Sequence, residues 1–250
     1  SRFLPPEREP TDRTLRSERT RSDDALASRD DFLAIVAHDL RDLIGGIVMS
    51  SAVLSRKASP HDQQGRGTLA ETQRIDRYAA RMKRLIGDLV DIASIDAGKL
   101  SVAPAPDDLC TVVAEAEESF RASAAAKRIS LSSRVPTGPL RAAFDHGRIL
   151  QVLANLVSNA LKFTPQGGSI TIQAAREGGQ LRVAVEDSGT GIPPHALESV
   201  FERFSQVGAN DRRGLGLGLY IARCLVEAHG GRIWAENRAE GGARIGFTLP

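Results

Sequence analysis

Gln151-Val152-Leu153-Ala154-Asn155-Leu156-Val157-Ser158-Asn159-Ala160-Leu161-Lys162-Phe163 is the stretch from which the rest of the chain can be read. With Ile149 just upstream, Val152, Leu153, Leu156, Val157, Ala160 and Leu161 recur at three- and four-residue steps, the pattern of a helix with one buried face. Gln151, Asn155, Asn159 and Lys162 occupy the other face. At 100° per residue, Asn155, Asn159 and Lys162 lie within roughly a 60° sector. Two amides and a cation therefore point the same way. An amide oxygen suits a hard cation such as Mg²⁺, and an ammonium suits phosphate. A solvated helix face uses the same residue types, so the flanking sequence has to decide between the two.

Asp145 is placed to cap the start of this helix, and Thr164-Pro165-Gln166-Gly167-Gly168 stops it. Downstream, Ile170–Ile172 and Leu181–Val185 alternate as half-buried strands around a Gly178-Gly179 turn. A last helix is expected from about Leu217 to Ala228, followed by strands near 232–236 and 244–249. Upstream, residues 107–128 read as a helix and Ile129–Arg134 as a strand. Helices on one face of a mixed sheet give a two-layer α/β sandwich over residues 99–250.

The N-terminal part has a different period. Residues 1–22 hold Pro5, Pro6 and Pro10 among charges and read as a linker leading into a helix. Leu26, Leu33, Leu40, Ile47 and Leu54 are spaced by seven, with Val36 and Leu43 on a second seam. Residues 59–67 read as a loop. A second helix is expected from about Thr68 to Asp96, with Ile75, Met82 and Leu89 repeating and Tyr78, Leu85 and Ile92 alongside. Two long helices and a short loop make an antiparallel hairpin over residues 23–98. Phe32, Ile35, Ile44, Ile86 and Val90 add more apolar surface than one pairwise contact covers. Two hairpins are therefore expected to pair as a homodimer, a four-helix bundle. With Leu33 and Leu40 at heptad position a, His38 falls at f, facing solvent. Asp39 beside it can take or orient the imidazole proton. The fold class is α+β.

Composition narrows the functions. The 250 residues are 41% hydrophobic and 26% charged, which is globular, and a net charge of +2 gives no electrostatic case for a nucleic-acid partner. Cys110 and Cys224 are too few and too far apart for a disulfide framework and suit a reducing, cytoplasmic setting. No apolar run reaches the ~18 residues a membrane span needs, and no signal peptide is visible. The chain starts with Ser, so it is expected to be a fragment whose upstream sensor portion is missing.

Two glycine motifs flank a polar segment. Asp187-Ser188-Gly189-Thr190-Gly191-Ile192 follows a strand; Gly189 and Gly191 permit close backbone approach by a ligand, and Asp187 can accept a hydrogen bond from an exocyclic amine. Gly214-Leu215-Gly216-Leu217-Gly218-Leu219 opens the last helix, where free amides favour an anion. Its spacing is neither that of a Rossmann turn nor that of a P-loop. Residues 200–213 between the motifs have the length and composition of a lid.

In this order the pieces closely resemble the catalytic core of the sensor histidine kinases of two-component systems. Phe32-Leu33-Ala34-Ile35-Val36-Ala37-His38-Asp39-Leu40-Arg41 resembles the phosphoacceptor box, and Gln151 to Phe163 the N box. Asp187 to Ile192 resembles the first glycine box, Phe201 to Phe204 the F box, and Gly214 to Leu219 the second glycine box. The resemblance implies a dimerisation and phosphotransfer hairpin followed by a Bergerat-type ATP-binding domain. It implies that Asn159 ligates Mg²⁺ with help from Asn155, and that Lys162 contacts phosphate. Asp187 would read the adenine amine, Phe163 and Ile192 would line the base, and the amides of Gly214, Gly216 and Gly218 would hold the phosphates. His38 would attack the γ-phosphate of ATP with Asp39 as its base, then pass the phosphoryl group to an aspartate of a response-regulator receiver domain.

The chain also departs from that family. Asp42 and Leu43 stand where Asn or Thr and then Pro are usual. Without the proline a straighter first helix is expected, and with Asp42 weak phosphatase activity toward the partner. These departures motivate one rival reading, a degenerate kinase that only dimerises and scaffolds. A second rival is an ATPase of the same nucleotide fold. Gln151 counts against it, because an amide cannot act as the base that activates water.

Overall fold

The computed structural model describes residues 36–59, 61–205 and 216–250. The sequence expectations for 1–22, Leu26, Phe32, Leu33, Ile35 and Gly214 lie outside the described residues. The chain forms two compact units, dividing between Lys99 and Leu100. No helix among the described residues is long and apolar enough to cross a membrane.

The first unit is a pair of helices, α1 (residues 36–57) and α2 (Gln63–Asp96). α1 is helical without interruption through Leu43. α2 starts five residues earlier than the sequence pattern indicates. Asp62 caps it by accepting from the Gly65 amide at 2.6 Å. A Cβ on Gly65 would lie 1.8 Å from the Ser59 carbonyl oxygen, so this glycine serves a close chain crossing rather than a loop.

The seam between the two helices also differs from the expected one. It consists of Ala37, Ile44 and Ser51 on α1 against Thr72, Ala79, Ile86 and Ala93 on α2, each residue seven from the next and all buried. Ser51 Oγ donates across it to the Thr72 carbonyl at 3.2 Å. Small side chains let two helices approach closely, and the larger residues face outward. Leu40, Leu43, Ile47, Leu54, Met82 and Leu89 are all exposed in the single chain.

The second unit is a five-stranded sheet with three helices on one face. In chain order it contains β1 (Ala105–Asp108), α3 (Leu109–Ala126), β2 (Ser130–Arg134), β3 (Arg141–Phe144), α4 (His146–Phe163), β4 (Ser169–Glu177), β5 (Gln180–Asp187), α5 (Gly218–Ala228), β6 (Ile233–Asn237) and β7 (Ala243–Leu249). The large sheet runs β2-β4-β5-β7-β6, parallel only between β2 and β4. β1 and β3 form a separate antiparallel pair. The sequence pattern showed neither strand, because Ala105-Pro106-Asp107-Asp108 has no apolar alternation.

α4 lies between α3 and α5, and the residues it buries are the seven apolar ones of its periodic pattern. Facing them from the sheet are Ile170, Ile172, Leu181, Val183, Val185, Ile245, Phe247 and Leu249, all buried. Buried His229 fixes the start of α4 relative to the end of α5. Its Nε2 accepts from the Asp145 amide at 3.1 Å, which requires Nδ1 to carry the proton it donates to the Leu225 carbonyl at 2.7 Å.

Candidate active site

The polar face of α4 meets both glycine motifs. Asp145 caps the helix by accepting from the Arg148 amide at 3.1 Å, which sets where its turns fall. One turn down, the Gln151 carbonyl oxygen accepts from Arg148 Nη1 at 3.0 Å. Asn155 Nδ2 donates to the Gly218 carbonyl at 3.0 Å, so Asn155 joins α4 to the first turn of α5 and keeps Oδ1 for another partner. Asn159 is half-buried, and its side chain makes no hydrogen bond among the described residues. Lys162 stacks its ammonium over the Phe163 ring at 4.8 Å from the centroid.

β5 ends at Asp187, which is only 6% exposed. Its Oδ1 accepts from the Gly189 amide at 2.8 Å and the Ala243 amide at 3.3 Å. Burial pushes its pKa up. The two amides and the Arg238 guanidinium pull in the other direction. Oδ2 is left to accept from a ligand N–H. Glycine is needed next to it: a Cβ on Gly189 would lie 2.6 Å from the Phe163 carbonyl oxygen, so the strand-end loop packs directly on the end of α4.

Asn237 on β6 was missed in the sequence. It pins the same loop from the far side, with Oδ1 accepting from the Ile192 amide at 2.7 Å and Nδ2 donating to the Ile192 carbonyl at 2.6 Å. Gly191, at φ 73°, lies against this amide. Gly242, also missed, allows β7 to start beside Asp187. Neither residue stands in a recognisable motif, and only strand pairing brings them close.

Gly216 has φ 71°, and a Cβ on it would lie 2.7 Å from the Ser205 carbonyl oxygen, so Ser205 and Gly216 lie directly against one another. Arg203, just upstream of Ser205, donates to the Tyr220 hydroxyl at 2.7 Å and stacks on its ring. The structure thus assembles Asn155, Asn159, Lys162, Phe163, Asp187, Gly189, Gly191, Ile192, Gly216 and Gly218 in one unit.

His38 and Asp39 belong to the other unit. His38 is 71% exposed on α1, and its Nδ1 lies 3.6 Å from Asp39 Oδ1 and 3.4 Å from Asp42 Oδ2. Both carboxylates therefore approach the same ring nitrogen.

Residues 28–98 match the His Kinase A (phospho-acceptor) domain family, and residues 144–250 match the family described as Histidine kinase-, DNA gyrase B-, and HSP90-like ATPase. The nucleotide-free catalytic domain of the histidine kinase ThkA is 33% identical, and the match covers 59% of this chain and 95% of that one with a TM-score of 0.54.

The chain belongs to the histidine kinase family.

Other relatives match over a longer stretch. The alginate biosynthesis sensor protein KinB of Pseudomonas aeruginosa is 32% identical over 89% of this chain and 37% of its own length. Sensor histidine kinase WalK of Bacillus subtilis is 33% identical over 89% of this chain and 36% of its own. This histidine kinase chain therefore spans little more than a third of those relatives. Full-length ShkA in complex with AMPPNP is similar over 88% of this chain and 45% of that one, at 28% identity and a TM-score of 0.66.

Proposed function

We propose that this chain is the ATP-dependent catalytic core of a two-component sensor kinase. Residues 23–98 would be the dimerisation and phosphotransfer domain and 99–250 the ATP-binding domain. The observation that carries the reading is that α4 is tied at Asn155 to the first turn of α5 and packs at its Phe163 end against the loop that follows the buried carboxylate of Asp187. Asp187 Oδ2 suits the amine of an adenine. Phe163 and Ile192 offer apolar surface to the ring, and the amides of Gly216 and Gly218 offer donors to phosphate.

Among the described residues, no cluster of three or more His, Cys, Asp or Glu could hold a metal ion. The amide oxygens of Asn155 and Asn159 fit a hard cation that takes its other ligands from phosphate and water, as Mg²⁺ does. Bound there, Mg²⁺ would neutralise charge building up between the β- and γ-phosphates. Lys162 would add a positive charge beside them.

In the reaction, the Nε2 lone pair of His38 forms a P–N bond to the γ-phosphorus. The P–O bond to ADP breaks and its electron pair leaves with ADP. The Nδ1 proton of the resulting cationic ring is held by Asp39. The phosphoryl group then passes to a receiver-domain aspartate of a response regulator. The partner hairpin of a homodimer would cover the outward leucine stripe. Gln151, engaged by Arg148, offers no base to a water molecule, so transfer is favoured over hydrolysis.

The test is labelling with γ-³²P-ATP. The expected product is acid-labile, base-stable phosphate on the chain, lost in His38→Ala and in Asn159→Ala. Steady ATP hydrolysis indifferent to His38→Ala would refute the kinase reading and support an ATPase.

A further inference from the structure

His38 has two carboxylate neighbours, and the closer one is not adjacent in sequence. On α1, residues 38 and 42 are one helical turn apart and share a face. Side chains on a helix lean toward its N-terminus, so Asp42 reaches back over the imidazole. Its Oδ2 stands 3.4 Å from His38 Nδ1, against 3.6 Å for Asp39 Oδ1. The carboxylates converge on the same nitrogen.

A neutral imidazole carries its proton on one nitrogen or the other, and the nitrogen without it is the nucleophile. Free histidine favours the Nε2–H form, in which Nε2 cannot attack. Two carboxylates within 3.6 Å of Nδ1 oppose that preference, because their negative charge favours a proton on the nearer nitrogen. We infer that Asp42 is a positioning residue for His38: together with Asp39 it holds the ring as the Nδ1–H tautomer and turns the Nε2 lone pair outward. This rests on His38 being the phosphoacceptor. As the P–N bond forms at Nε2 and ADP departs with the electrons of the broken P–O bond, the ring becomes cationic. Asp42 then lies beside the Nδ1 proton of that cation and stabilises the charge, whichever carboxylate finally accepts the proton.

All three side chains are about 70% exposed, so the effect is a bias and not an absolute requirement. Exposed charge pairs shift equilibria by up to roughly fivefold. The outcome for Asp42 is graded accordingly.

The test uses the chain in full, labelled with ¹⁵N-histidine and free of nucleotide, and reads tautomer populations from long-range ¹H–¹⁵N NMR above the imidazole titration. His38 should be mainly Nδ1–H in the native protein. It should shift toward Nε2–H in Asp42→Asn and further in the Asp39→Asn/Asp42→Asn double variant. The initial autophosphorylation rate of Asp42→Asn should fall about fivefold with KM for ATP unchanged, and Asp42→Glu should recover part of it. An unchanged tautomer ratio, or an Asp42→Asn rate equal to or above native, overturns the inference. Label that survives His38→Ala would instead overturn the assignment of the acceptor, on which the NMR measurement does not depend.

Discussion

Gly242 sits at φ 89°, and a Cβ there would lie 1.9 Å from the carbonyl oxygen of Asp187. Its neighbour Gly241 has φ 94° with nothing near the missing Cβ. The pair separates backbone strain from close approach. Gly241→Ala should cost about 1–2 kcal/mol, the strain alone. Gly242→Ala should cost about 2 kcal/mol more, because Asp187 or the start of β7 must move. Nucleotide binding should weaken only in Gly242→Ala. Thermal melts and titration with a fluorescent nucleotide check both, and equal effects of the two variants would show that close approach is unimportant. The sequence names Asp187 because a carboxylate ends an alternating strand. It cannot name Gly242 or Asn237, which lie about fifty residues further on and reach the site only through the pairing of β5 with β7 and β7 with β6.

At the scale of elements, the helices were legible and the small sheet was not. The buried face of α4 follows from periodicity, because a 3.6-residue repeat of apolar side chains has one low-energy orientation against a sheet. The β1–β3 pair has no such signal; it buries Phe144, and polar contacts tie it to its neighbours. Asp108 Oδ1 accepts from the amides of Cys110 and Leu140, and Ala103 donates to Asp145 Oδ2. His146, the first residue of α4, bridges Asp107 of β1 and Glu115 of α3, with 2.8 Å from each ring nitrogen to a carboxylate oxygen.

That bridge predicts a pH dependence. The Glu115 and Asp107 carboxylates raise the His146 pKa, so its contribution to stability is complete below the ordinary histidine range and disappears as pH rises through the raised value. The Asp107 pKa is lowered, first by the Asp108 amide and then by His146, so its contribution is lost only as pH falls through that lowered value. The favourable window lies between them. The groups are partly exposed, so the whole effect should be about 1 kcal/mol or less. Denaturant unfolding at about pH 6 and about pH 9 should show the C-terminal unit losing this increment at the higher pH, with the loss absent in His146→Gln. A variant that keeps the same pH difference would refute the assignment.

At the scale of the whole molecule, the leucine stripe remains uncovered in one chain. Leu43 is 67% exposed, and Ile47, Leu54 and Leu89 about half. If a second hairpin covers them, the native chain should sediment at twice its 26.8 kDa. Ile47→Asp/Leu54→Asp should then weaken association by more than about 100-fold, since each buried unpaired charge costs several kcal/mol. A native chain sedimenting as a monomer at roughly 50 µM would exclude a dimer of useful stability. The heptads were visible in the sequence, but which stripe faces inward was not. Leucine and alanine stripes both repeat every seven residues. Close packing of two helices selected Ala37, Ile44, Ala79 and Ile86 for the inside.

The sequence by itself determined the α+β class, the central helix, both glycine motifs and the histidine with its adjacent acid. These depend on local periodicity and on spacing within one segment. Only the tertiary structure decided which helix faces meet, that Asn155 joins α4 to α5, and that Asn237 and Gly242 support the loop around Asp187. Each of these depends on packing or strand register between elements, and neither is written in the order of residues along one element.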